Sequence, residues 1–182
     1  MKINKRDSYK VIEATIEAKT VNKIVNIWGT VTMLILLIPY VLVWGIGELN
    51  GGFLLSVIAI YIVLIVLHEL LHLFGYVFIG KAKLNEVKLG VFWKHLMPYA
   101  HCKVPLKINH YRIAVMMPVI LAIGPLIYGY ASGNGLYFTI GILMSISSFG
   151  DFIILWNLIN YQKDAYIQDH SSEIGCIVHV PK

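Results

Sequence analysis

The chain has 182 residues, 58% of them hydrophobic, and a formal net charge of +5, with a mean hydropathy of +0.71. A soluble domain is about half apolar, and here the excess is gathered into long runs, so the composition excludes a soluble globular protein and describes an integral membrane protein. The length suits one compact unit of a few spanning helices with no separate soluble domain. Cys102 and Cys176 lie too far apart for a disulfide framework or a zinc knuckle, and read as small buried residues.

In chain order, residues 1–23 form a charged cytoplasmic segment without the apolar core of a cleavable signal peptide. Within it, residues 9–19 are expected as an amphipathic helix. Ile12 and Ile16 share one face and Glu13 and Glu17 another, which suits a juxtamembrane anchor. Residues 24–161 are the membrane domain. Four runs in it are long enough to cross about 30 Å of hydrocarbon at about 1.5 Å per residue. They cover 25–46, interrupted by Pro39; 53–79; 113–130, containing Pro118 and Pro125; and 136–159, with Asp151 as its acidic residue.

The loop 81–112 is too long for a turn. Val87, Leu89, Val91 and Trp93 alternate with other residues, as do Ala100, Cys102, Val104 and Leu106. Joined through residues 94–98, they predict a small cytoplasmic β-hairpin. Its edge either binds an extended substrate by strand addition or serves as a membrane-surface flap. Residues 162–182 form a cytoplasmic tail in which Asp169-His170 and Cys176 to His179 match no metal-binding spacing well, so surface packing is expected. The expected fold is therefore an all-α polytopic membrane protein, with four transmembrane helices and a hairpin between the second and third.

All 15 lysines and arginines fall within the first 23 residues, between Lys81 and Arg112, or after Tyr161, while the connections 47–52 and 131–135 carry none. By the positive-inside rule both termini and the 81–112 loop are cytoplasmic, in a multi-pass protein of the cell membrane. The positive charge then marks flanks drawn to the anionic headgroups of the lipid bilayer, and no nucleic-acid partner is needed to explain it.

The second run carries His68-Glu69-Leu70-Leu71-His72. On a helix His68 and His72 lie one turn apart on one face, so both imidazoles can bind one metal ion. Glu69 projects beside them and can act on a bound water without being a ligand. Such residues are costly in lipid unless a metal compensates. A catalytic zinc takes three protein ligands and keeps one position open. Candidates for the third are Asp151, His95, His101, His110, Glu86 and the C-terminal acidic and histidine residues. The second and fourth runs cross in the same direction, and His68 and Asp151 each lie about 15 residues, or about 22 Å, from the start of theirs. Depth therefore favours Asp151, with His101 next if the loop folds back into the membrane. The competing role for Asp151 is an aspartate hydrogen-bonded between helices, with Ser147 or Ser148 as partner.

Over residues 53–178 the chain resembles the site-2 protease type of intramembrane metalloprotease. It more closely resembles a smaller bacterial family of zincin-type membrane peptidases. The resemblance rests on His68 to His72, on Gly124-Pro125 in the third run and on Gly150-Asp151 in the fourth. In site-2 proteases an aspartate of the last core span is the third zinc ligand, which carried over is Asp151. Those enzymes often have asparagine three residues after the Gly-Pro proline, where this chain has Tyr128. Their aspartate usually sits in Asn-Pro-Asp-Gly, where this chain has Ser148-Phe149-Gly150-Asp151-Phe152. Both differences favour the smaller family.

The expected function is a zinc-dependent endopeptidase that cleaves membrane or membrane-associated proteins near the cytoplasmic face. Zn2+ is its cofactor, His68, His72 and Asp151 are its ligands, and Glu69 is the general base. Tyr128, Asn157 and His101 are candidates for positioning the substrate or the oxyanion. Two other classes remain: a non-catalytic membrane protein using the metal for structure, sensing or ion transfer, and a metal-dependent hydrolase of a non-peptide substrate.

Overall fold

The computed structural model describes residues 9–49, 51–92 and 97–182. The apolar runs become helices α1 (Ala18–Trp44), α2 (Leu54–Phe74, extended by a π-helical turn Gly75–Ile79), α3 (Ile108–Met116), α4 (Ile120–Ser132), α5 (Gly135–Ser147) and α6 (Phe149–Asn157). Four helical rods are long and apolar enough to cross a membrane: α1, α2 with its extension, α3 with α4, and α5 with α6. Leu42, Leu55, Ile120 and Trp156 are exposed on their outer faces, as expected of helices meant for hydrocarbon rather than water.

Two rods are interrupted, each for a local reason. Between α3 and α4 the chain tightens into a 3-10 turn, Met117–Val119. Pro118 there has no N–H to give and crowds the preceding turn. Pro125, by contrast, lies within α4 without ending it. Between α5 and α6 the backbone breaks at Ser148, where Ser147 and Ser148 donate their hydroxyls to the carbonyls of Leu143 and Met144. Such back-bonding loosens a helix, and here it places Asp151 in the first turn of α6. The third rod begins at Ile108 rather than near 113, and the first at Ala18 rather than near 25.

The all-α expectation is corrected by two sheets. Strands β2 (Val87–Phe92) and β3 (Met97–Cys102) form an antiparallel hairpin, as expected, pairing Val87 with Cys102 and Lys88 with His101. Its second arm, however, takes in Met97 and Pro98 and stops at Cys102, and Leu106 joins the other sheet. Its connection, including Trp93, Lys94 and His95, lies outside the described residues. The second sheet was not expected. It orders β1 (Tyr9–Ile16), β6 (Ile174–Pro181), β5 (Tyr166–Asp169) and β4 (Leu106–Lys107) in one antiparallel array.

The amphipathic helix expected over residues 9–19 is thus a strand through Ile16, paired along its length with β6 from Tyr9↔Pro181 to Ile16↔Ile174. A spacing of four, as in Ile12 and Ile16, satisfies both a helical and a period-two pattern. The inward turn of Ala14 between them, together with the β-branched content of the segment, fits the strand. The tail is likewise part of the core rather than a surface appendage. Ile167, Cys176 and Val178 are fully buried with Leu106, Ile108, Tyr111 and Cys102 beneath the ends of α2 and α3. Both cysteines are free, and burial pushes each thiol up to about 12.

Candidate metal centre and active site

α2 delivers His68 and His72 one turn apart, and both are buried. α6 delivers Asp151, also buried, from the opposite wall. The two Nε2 atoms lie 3.1 Å apart. Asp151 reaches His68 Nε2 with one oxygen and His72 Nε2 with the other, each at 3.2 Å. Among the described residues these three are the group whose donor atoms could hold one metal ion. A tetrahedral zinc with bonds of about 2.0–2.1 Å places its ligand atoms about 3.3 Å apart. The 3.1 Å between the two nitrogens is close to that spacing, one ligand atom from each of the three residues lies within 4.8 Å of the others, and nitrogen and oxygen donors suit zinc.

The imidazole of His72 is oriented from behind. Its Nδ1 lies 3.1 Å from the carbonyl oxygen of Ala114 in α3. A proton on Nδ1 donated there leaves the Nε2 lone pair facing the cluster. Gly75 permits this contact. A Cβ at that position would stand 2.6 Å from both Cα and Cβ of Ala114, so only glycine lets α3 approach so closely. His68 Nδ1 is buried with no hydrogen-bond partner among the described residues.

Glu69 is half-buried at the side of the cluster, in a cavity that Ala100 of β3 also lines. A cavity of about 440 Å³ contains Glu69 and all three cluster residues, and its far wall is the hairpin and the C-terminal sheet. The site can therefore hold a metal at the end of a water-sized approach, with a carboxylate beside it.

A family model described as "Putative zincin peptidase" matches residues 61–166. The chain belongs to this family. The matched segment carries the whole cluster, Glu69, the hairpin and β4, whereas α1, β1 and β6 lie outside it. Zinc and peptidase chemistry are what zincin membership implies, and the donor set fits that metal. No curated protein and no solved structure matches the chain.

The other sequence candidates are distributed differently. His101 lines the same cavity without joining the cluster. Tyr128 is 55% exposed on α4 and packs edge-on against Tyr137, and Asn157 ends α6; neither lines the cavity. Their helices turn them elsewhere, so neither is placed to position a substrate at the cluster. Glu86 is occupied with the Lys83 backbone N–H, and His110 faces a separate cleft beside Lys107. Ser147 and Ser148 bond to carbonyls, and Ser147 also pairs with the Tyr61 hydroxyl at 2.7 Å. Asp151 instead pairs with the two histidines.

Sequence reasoning missed the support that runs from His72 to the tail. Tyr76, one turn beyond His72, stacks near its ring, and Tyr111 stacks on Tyr76. The Tyr111 hydroxyl and the Cys102 backbone N–H both donate to the buried carboxylate of Asp169. Burial pushes the Asp169 carboxyl above its ordinary range, against the pull of those two donors. The one signal available was the spacing of His68, His72 and Tyr76, which lies on a single helical face. Asp169 gave none.

Proposed function

We propose that the chain is a zinc-dependent membrane endopeptidase, acting on membrane or membrane-associated proteins near the cytoplasmic face. The observation that carries this reading is the convergence of His68, His72 and Asp151 at 3.1–3.2 Å beside Glu69, within helices apolar enough to span a membrane. His68, His72 and Asp151 are the ligands, as in the site-2 protease type that the Gly124-Pro125 and Gly150-Asp151 pairs resemble.

Zinc in this site would polarise the scissile carbonyl and lower the pKa of water from about 15.7 to about 7. The protein's own residues do the rest. Glu69 accepts the proton of the attacking water and passes it to the departing amine nitrogen. Ala114 holds His72 in the tautomer that faces the cluster. The hairpin, through Ala100, walls the cavity in which Glu69 stands.

The charge pattern supports the orientation, and the sheet supports a shared side for three segments. The basic residues cluster in the N-terminal segment, the 81–112 loop and the tail. The same three segments supply β1, β4, β5 and β6 to one sheet. A bilayer cannot divide a sheet, which supports one shared side for all three, and the charge rule favours the cytoplasmic one.

The test is zinc content and turnover of the detergent-purified chain. Glu69→Gln is expected to keep its zinc and lose turnover, and Asp151→Ala to lose zinc. Unchanged turnover in Glu69→Gln would sink the peptidase reading, and full zinc loading in Asp151→Ala would remove Asp151 from the ligand set.

A further inference from the structure

Two cavities meet at the cluster, and they differ in character. The cavity of about 440 Å³ faces the hairpin and sheet, and its wall includes Lys88, His101, Lys103, His170 and Glu173. A second, of about 520 Å³, runs between α1 and α2 and is walled by Val21, Val25, Ile65, Ile146 and Ile174. His68 and Glu69 line both. The catalytic glutamate therefore stands on a boundary between an aliphatic cleft and a polar one.

The aliphatic cleft follows α2 from Glu69 back to Tyr61, about 12 Å along the axis. That length accommodates about three or four residues of extended chain. Beyond the cluster its polar side chains are Asn22, which is exposed, and Tyr61 and Ser147, whose hydroxyls pair with each other. The cleft offers little to a charged side chain.

At its exposed mouth the polar cavity presents two lysines, Lys88 and Lys103, against one glutamate, Glu173. Lys88 and Lys103 are exposed, and among the described residues neither forms an ion pair. Lys103 Nζ has only the Asn85 carbonyl, at 3.3 Å. Asp151 is held by the two histidines, and Asp169 by Tyr111 and Cys102. Glu69 is half-buried beside the cluster, which leaves Glu173 as the exposed acidic group of this wall.

We propose that the site selects a peptide whose aliphatic segment fills the α1–α2 cleft and whose acidic segment faces Lys88 and Lys103, with the cleaved bond at the junction. This rests on the peptidase reading above. Hydrolysis at that bond adds the water oxygen to the carbonyl carbon, breaks the C–N bond and leaves a carboxylate and an amine. Lys88 and Lys103 are specificity residues rather than catalytic ones. An anionic lipid shares part of this chemistry, and family membership favours the peptide.

The test is binding of dye-labelled peptides to the full-length Glu69→Gln chain, zinc-loaded, in an uncharged detergent, read by fluorescence anisotropy. Three peptides share a Leu/Val segment and end in three aspartates, three serines or three lysines, and a fourth joins the aspartates to a Gly/Ser segment. Exposed charge pairs are each worth about two- to threefold, so the aspartate peptide should bind roughly fivefold more tightly than the serine one at low salt. Lys88→Glu with Lys103→Glu should reverse the order of the aspartate and lysine peptides, and the Gly/Ser peptide should bind weakest. Equal binding of all charge types, an order untouched by the lysine reversals, or no binding at all would overturn the proposal. So would displacement of the aspartate peptide by phosphatidylglycerol added in equal amount, which would assign the surface to lipid. Cleavage by the native chain is scored separately. Charge-selective binding without cleavage defeats the peptidase reading and leaves the binding assignment standing; cleavage without charge selection does the opposite.

Discussion

Replacing Gly75 by alanine tests whether helix packing tunes the metal site. The added methyl would lie 2.6 Å from the Cα and Cβ of Ala114 and 3.0 Å from Met117 Sδ. Carbon atoms settle at about 3.5–4.0 Å, and the obstacle includes backbone, so α3 must retreat by about 1 Å. The His72 Nδ1 to Ala114 oxygen distance of 3.1 Å would then exceed the roughly 3.5 Å at which a hydrogen bond is lost. Losing such a partner behind a metal-bound histidine lowers affinity about 10- to 100-fold, or about 1.4–2.7 kcal/mol. The assay is a competitive zinc titration against a chromophoric chelator on the detergent-purified chain. Gly129→Ala is the control, because its methyl would meet Phe138 backbone in the α4–α5 pair, which strains packing away from the cluster. It should lower thermal stability and leave zinc affinity intact. If Gly75→Ala binds zinc as tightly as the native chain, the link from α3 to His72 is wrong.

Three further outcomes follow from the same geometry. His101→Ala should retain full zinc by metal analysis, since His101 lines the cavity but stands outside the cluster; loss of zinc would restore it as a ligand. Tyr111→Phe removes a donor from the buried Asp169 carboxylate, and should cost about 1–3 kcal/mol of stability by thermal or denaturant unfolding, with zinc still bound. Both buried thiols hold their protons up to about 12, against an ordinary value of 9.0. The unfolded chain therefore releases those protons first, and stability present below pH 9 is lost as pH rises. At about pH 10 the loss is about 1.4 kcal/mol per thiol. The Cys102→Ala, Cys176→Ala double variant should show a shallower decline between pH 8 and 10 than the native chain, and an equal slope would place the alkaline sensitivity elsewhere.

The candidate metal site was legible in the sequence because its parts are local or stand at matching positions along two rods. His68 and His72 are set one turn apart by the helix itself. Asp151 was picked out by counting residues down two rods that cross the same way, and the structure brings it within 3.2 Å of both histidines. The hairpin was visible as alternation in a loop too long for a turn. Tyr128 and Asn157 were chosen by chemistry alone, without a face or a depth to constrain them, and the helices carry them away from the cavity.

By itself, the sequence determined the four apolar rods, the histidine pair with its glutamate, and the gathering of the basic residues into three segments. Each is a property of composition or of spacing within one element. Tertiary structure decided what joins distant segments. It turned residues 9–16 from a helix into a strand, because β6 was available to satisfy that backbone. It made the tail part of the core and brought Asp169 to Tyr111 and Cys102. It also set the Ala114 carbonyl behind His72, across a close helix contact that Gly75 permits. Strand pairing and close helix approach join residues far apart in the chain, so no periodicity announces them.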